Sequence, residues 1–185
     1  MQLHPPRRMF VGLLPERTVQ MQIQRYARAW TWPETARPTR FGRYHLTLRF
    51  LGDQVGAAPE ARLRAALREV AAQPLQLVLE TPAVWKNDVA VLLPEENAGL
   101  RRLQESIAEC DTHASVPFTP HVTLARHARG AEPPPANPGI EWAISEFVLV
   151  WSRLDTKPAE YVVVEHFGLR GGTAAPRAAQ GSLFD

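Results

Sequence analysis

Two short segments restrict most how this chain can fold: YHLTLRFL at 44–51 and TPHVTLAR at 119–126, each carrying a His-x-Thr-Leu run of strand-forming residues. Side chains two apart in a strand share a face and stand about 6.6 Å apart. His45 and Thr47 are therefore expected to project together, with Leu46, Leu48 and Phe50 packed behind them. His121 and Thr123 repeat the arrangement over Val122 and Leu124. One such pair is an ordinary strand feature, because β-branched threonine favours strands and a histidine can lie on a solvated face. Two pairs in corresponding places of two half-chains point to one shared site.

The remaining periodicities surround these strands with a mixed framework. RMFVGLL at 8–14 reads as a strand ended by Pro15, and Val19, Ile23, Tyr26, Ala27 and Trp30 then recur at helical spacing. An irregular stretch at 33–43 leads into the His45 strand, which Gly52 and Asp53 are expected to close. Leu63, Ala66, Leu67 and Val70 mark a second helix; QLVLE and DVAVLL follow as strands around an Asn87-Asp88 turn. A third helix is expected from near Pro94, with Leu100, Leu103, Ile107 and Cys110 on one face. After the His121 strand, RGAEPPPANPG at 129–139 is a surface loop, since proline blocks both ladder and helix hydrogen bonds. ISEFVLVW and YVVVEHF are the last strands. The order β-α-β-α-β-β-α-β-β-β is an α+β pattern, and its weakly similar halves hint at a unit duplicated about a pseudo-twofold axis. The expected division is one domain over 1–170 and a mobile tail over 171–185.

Composition narrows the function classes. With 45% hydrophobic and 22% charged residues among 185, a disordered or fibrous chain is excluded. The net charge is only +2, yet all but Lys86 and Lys157 of the 21 basic residues are arginine, whose fork suits phosphate. Genome-wide bias accounts for the total equally well, so clustering matters more. A lone cysteine, Cys110, leaves no intramolecular disulfide and fits a reducing cytoplasm. The apolar run near the start stops at Pro15, too short for a signal sequence or membrane span. His4, His113, His127 and His166 form no H-E-x-x-H spacing, so a metal hydrolase is the weaker enzyme reading.

HLTLRFLG at 45–52 and PHVTLAR at 120–126 resemble the paired H-x-T-x signatures of the two-histidine phosphoesterase superfamily. Within it, the chain is similar to the RNA 2′,3′-cyclic phosphodiesterases, also called 2′-5′ RNA ligase-like proteins. The likeness extends to RMFVGLLP, VWKNDVAVLL, FVLVWSRL and YVVVEHFGL, and so covers roughly residues 7 to 170. It implies a bilobal fold in which two antiparallel sheets face one another across a central cleft, with helices outside. It implies cofactor-free hydrolysis of RNA 2′,3′-cyclic phosphate ends to the 2′-phosphate, by a monomer. His121 would be the general base (proton acceptor) and His45 the general acid (proton donor), with Thr47 and Thr123 donating to the non-bridging oxygens. Run in reverse with a 5′-hydroxyl, the same groups imply a weak 2′-5′ ligation.

Arg126 matches an arginine of the family's second motif region and is the leading candidate for a phosphate contact, against a solvated strand end. Arg49 shares the His45 face by parity but could equally lie beyond the cleft. Arg37, Arg40 and Arg43 either track an RNA backbone or form a solvated loop. Phe10, Trp85 and Trp151 are stacking platforms or core. The rival class is a non-catalytic RNA-end-binding module. In the tail, Gln180, Ser182, Leu183 and Phe184 resemble a Q-L-S-L-F motif that docks on the DNA polymerase sliding clamp, with Gly181 in place of the usual leucine.

Overall fold

The structure is a computed structural model that describes residues 5–112, 117–156 and 160–170. The tail with Gln180, Ser182, Leu183 and Phe184 lies outside the described residues, as do His4 and His113. The elements run β1 (Arg7–Leu13), α1 (Arg17–Arg28), β2 (Arg37–Pro38), β3 (Leu46–Val55), α2 (Ala57–Arg68), β4 (Leu75–Val84), β5 (Ala90–Pro94), α3 (Ala98–Glu109), β6 (Val122–Arg126), β7 (Ile140–Ile144), β8 (Glu146–Arg153) and β9 (Glu160–Gly168).

All strands join one curled antiparallel sheet in the order β7-β4-β5-β6-β3-β1-β8-β9, with β2 added to β6. The two expected sheets are the two halves of this sheet, β7-β4-β5-β6 and β3-β1-β8-β9. They meet where Leu46 pairs with Val122. The motif strand β3 follows β1, α1 and β2, and the motif strand β6 follows β5 and α3; β2 pairs with β6 of the other half.

The helices form where apolar side chains recur on one side. Val19, Ile23, Tyr26 and Ala27 of α1, Leu63 and Leu67 of α2, and Leu100, Leu103 and Ile107 of α3 are buried. They share one large core with Leu46, Leu48, Val122 and Leu124, the backs of the motif strands. A smaller core of Phe10, Val148 and Val150, with Tyr161 and Val163 packed on it, lies apart from the first.

Several boundaries differ from those read in the sequence: the motif strands begin only at Leu46 and Val122, so His45 and His121 stand one residue before them, and the stretch at 33–43 contains the short strand β2. Helix α3 begins at Ala98, not near Pro94, because Pro94 still pairs with Leu79 and the Asn97 side chain caps the helix by accepting from the Leu100 N–H at 2.9 Å. Strand β7 was not expected; Ile140, Trp142 and Ile144 alternate with exposed neighbours along β4. Strand β3 continues to Val55 through Gly52, which takes a φ of 112° at a bulge in the β1 ladder.

Candidate active site

The site rests on the junction of the two half-sheets. β3 and β6 run antiparallel with Leu46 opposite Val122, and the odd-numbered neighbours of both residues turn away from the core. His45, Thr47, His121 and Thr123 thus line one cleft of about 630 Å³. The remainder of its wall comes from β1, β8, β9 and the segment before β3. Among the described residues no Asp or Glu lines the cleft, whereas Arg8, Arg37, Arg40, Arg43 and Arg126 all do.

The two imidazoles are held alike. His45 Nδ1 lies 2.9 Å from the Arg43 carbonyl oxygen, and His121 Nδ1 lies 2.8 Å from that of Thr119. A carbonyl only accepts, so each Nδ1 carries hydrogen and each Nε2 is the atom that exchanges protons with the cleft. The ring of His45 packs against Phe10 at 4.9 Å and meets Tyr161 edge-on at 5.2 Å; Trp85 holds His121 at 4.5 Å. These rings fix the orientation of the imidazoles.

Burial lowers the pKa of both histidines below the ordinary value. The Arg43 carbonyl partly restores that of His45, and the positive charges of His121, Arg43 and Arg126 lower it again. For His121 the Thr119 carbonyl raises and Arg126 lowers. Burial and the neighbouring arginines therefore favour neutral histidines, and an anion that offsets the arginines would return protons to them.

The arginines divide by what already occupies them. Arg37 turns its guanidinium onto the carbonyls of Thr35 and Ala36, at 3.0 and 3.1 Å, so it stiffens its own loop. That loop is fastened to β6 by the Thr39 hydroxyl on the Thr123 carbonyl and the Thr39 N–H on the Leu124 carbonyl. Arg43 lies 4.0 Å over the Tyr161 ring. Arg40 and Arg126 are exposed and have no carboxylate partner among the described residues, which leaves both for an anionic ligand.

Arg49 is a correction. It is buried away from the cleft, with its Nε 2.8 Å from Asp111 beyond the end of α3. A bulge explains this: Val11 pairs with Arg49 but the next β1 residue, Gly12, pairs with Thr47, so Leu48 is the extra residue and the alternation reverses beyond it. The same reversal brings Phe50 into the cleft, 46% exposed, where parity had put it in the core. Trp151 is also outside the cleft, 4.3 Å from the Arg7 guanidinium. Phe10 does line the cleft, though at 5% exposure it is chiefly the wall behind His45.

Sequence reasoning passed over Tyr161, Arg8 and Ser152. All three come from strands distant in sequence, and only the alternation of Tyr161 with Val163 and of Arg8 with Phe10 hinted at a common face. His127 and His166 stand elsewhere; the latter contacts Glu146 at 2.9 Å. Among the described residues, no three His, Cys, Asp or Glu are grouped to hold a metal ion, and no helix is long and apolar enough to cross a membrane.

Comparison with known proteins gives the geometry a context. The family model described as the 2'-5' RNA ligase superfamily matches residues 15–156. An RNA 2',3'-cyclic phosphodiesterase of Thermus thermophilus is 36% identical over 152 residues, 69% of this chain and 72% of the relative. One of Escherichia coli is 28% identical over 174 residues, covering 89% and 97%. The crystal structure of E. coli LigT complexed with 3'-AMP superposes with a TM-score of 0.80 at 27% identity, over 89% of this chain and 98% of that one.

Proposed function

Because the chain belongs to the 2'-5' RNA ligase superfamily, we propose that its cleft opens the 2′,3′-cyclic phosphate at the end of RNA to a 2′-phosphomonoester. The protein is a hydrolase of the cyclic phosphodiesterase kind that its relatives represent. The observation that carries the assignment is the matched pair of imidazoles. Each is tied at Nδ1 to a backbone carbonyl, which leaves Nε2 for the substrate, in a cleft lined by arginines and, among the described residues, by no carboxylate.

Two proton transfers suffice for the chemistry. His121 Nε2 takes a proton from water, whose oxygen forms the new bond to phosphorus. The P–O3′ bond breaks, and His45 Nε2–H gives its proton to O3′. Thr47 and Thr123 hydroxyls donate to the non-bridging oxygens, and Arg126 with Arg40 and Arg43 balances the phosphate charge. The anionic phosphate also raises the His45 pKa toward the protonated form that the acid requires. With a 5′-hydroxyl in place of water, His121 takes its proton, O5′ bonds to phosphorus, and O3′ leaves with the His45 proton, which joins two ends through a 2′-5′ bond.

One chain supplies both histidines, so a monomer suffices, and the lone Cys110 suits a reducing cytoplasm. The tail motif around Gln180, Leu183 and Phe184 stands as a separate proposal, tested by titrating a peptide of residues 174–185 against the sliding clamp.

The direct test is incubation with an oligoribonucleotide ending in a 2′,3′-cyclic phosphate, with the product isomer read by phosphorus NMR. We expect the 2′-phosphate, in the presence or absence of a chelator. Binding without turnover would favour the non-catalytic RNA-end-binding module, and activity abolished by chelator and restored by a divalent ion would favour a metal hydrolase.

A further inference from the structure

We infer that Phe50 and Arg8 form a second nucleotide subsite, which stacks the base and contacts the phosphate of the residue on the 5′ side of the cyclic-phosphate end. This rests on the hydrolase reading above. Phe50 is a large aromatic side chain left 46% exposed inside a cationic cleft, although a core lies on the other side of its strand. The Arg8 guanidinium sits 4.7 Å from the Phe50 ring centroid and is held by Asp53 through one of its nitrogens. Five N–H donors on an arginine leave others for a phosphate. An exposed ring beside a guanidinium is the combination by which proteins hold single-stranded nucleic acid, the ring taking the base and the cation the backbone.

The register locates this pair relative to the histidines. β3 and β6 are antiparallel at Leu46 and Val122, so moving along β3 toward Phe50 leads away from Arg126 at the far end of β6. Arg126 and the Arg37–Arg43 loop therefore flank the histidines on one side, and Phe50 with Arg8 on the other. Phe50 stands four positions beyond Leu46, at most roughly 13 Å at strand rise and less with the bulge at Leu48. A cyclic-phosphate end has chain on one side only. The other aromatic rings of the cleft are less accessible: Phe10 is buried and Tyr161 is half-buried beneath Arg43. Phe50 carries Arg8 at one face and is still the most exposed ring lining the cleft, which leaves the rest of its surface for a base arriving from that direction.

The test compares kcat/KM for a nucleoside 2′,3′-cyclic phosphate with that for a dinucleotide and a longer oligoribonucleotide bearing the same end. Wild type should favour the dinucleotide over the mononucleotide by about 5- to 100-fold, the range expected for one stacked base. Phe50→Ala should reduce that ratio to near one, Phe50→Trp should keep it, and Arg8→Gln should lower it together with its salt dependence. A ratio unchanged in Phe50→Ala, or an equal loss on both substrates, overturns the subsite. If wild type turned over neither substrate, the hydrolase reading would fail while the subsite was still read by binding. A dinucleotide 2′-phosphate should then bind more tightly than a nucleoside 2′-phosphate, by a ratio that Phe50→Ala removes. No such difference would overturn it.

Discussion

Leu46 of β3 lies opposite Val122 of β6, and this pair sets the positions of both histidines. In an antiparallel ladder a step forward on one strand is a step back on the other. His45 therefore falls beside Thr123, and Thr47 beside His121. Each proposed proton-transfer group has the other half's hydroxyl as its neighbour. A phosphoryl group between the histidines would meet a threonine from each side.

Leu46 and Val122 are both fully buried, so the alignment is maintained by packing as well as by the ladder. Leu46→Ala should lower unfolding free energy by about 2–5 kcal/mol, the usual loss for a truncated core leucine. Urea denaturation measures this, and a loss below about 1 kcal/mol would mean that the junction is not held by its core.

His45→Ala and His121→Ala should each reduce kcat by about 10²- to 10⁴-fold, with circular dichroism and Tm close to wild type, since both rings face the cleft. Wild-type turnover in either variant would disprove two-histidine acid–base catalysis.

Thr47→Val and Thr123→Val preserve the branched shape that the strands need but remove the hydroxyl. If these groups donate to the non-bridging oxygens, kcat should fall by about 10²- to 10³-fold with a smaller change in KM. An effect confined to KM would make them binding groups only.

The histidine and threonine pairs were legible in sequence because strand alternation is local, and the extended backbone keeps it from each histidine, one residue before its strand, through the threonine. Arg49 and Phe50 were misread because the bulge at Leu48 exchanges their faces, and nothing in LTLRFL signals an extra residue there. Tyr161 and Arg8 were invisible for another reason: they reach the cleft through the β3-β1-β8-β9 order, which is a tertiary property. The exact start of α3 depended on whether Pro94 would be used by the sheet, and it pairs with Leu79.

Arg49 and Asp111 connect the His45 strand to the far end of α3 as a buried ion pair, with side-chain exposures of 6% and 7%. Removing one partner leaves the other charged and desolvated. Arg49→Ala should therefore cost about 3–5 kcal/mol in stability, seen as a lower denaturation midpoint, while kcat/KM per folded molecule is retained. Loss of activity at unchanged stability would return Arg49 to the substrate cleft.

The pH dependence follows from burial lowering both histidines below the ordinary value of about 6.5. Catalysis needs His121 neutral and His45 protonated, so kcat/KM should be bell-shaped with its maximum on the acid side of that value. Its alkaline limb should follow the loss of the His45 proton in the free enzyme. Stability should show the same sign. A histidine with a folded pKa below its unfolded one contributes stability that is fully present above about 6.5 and is lost as pH falls through the folded values, because the unfolded chain takes up the proton first. Inorganic phosphate should counter both effects by raising the two pKa values, and an NMR titration of the imidazole Cε1–H signals with and without phosphate measures them directly. Histidine pKa values above the ordinary one in the phosphate-free protein would contradict the burial argument, and with it the acidic optimum.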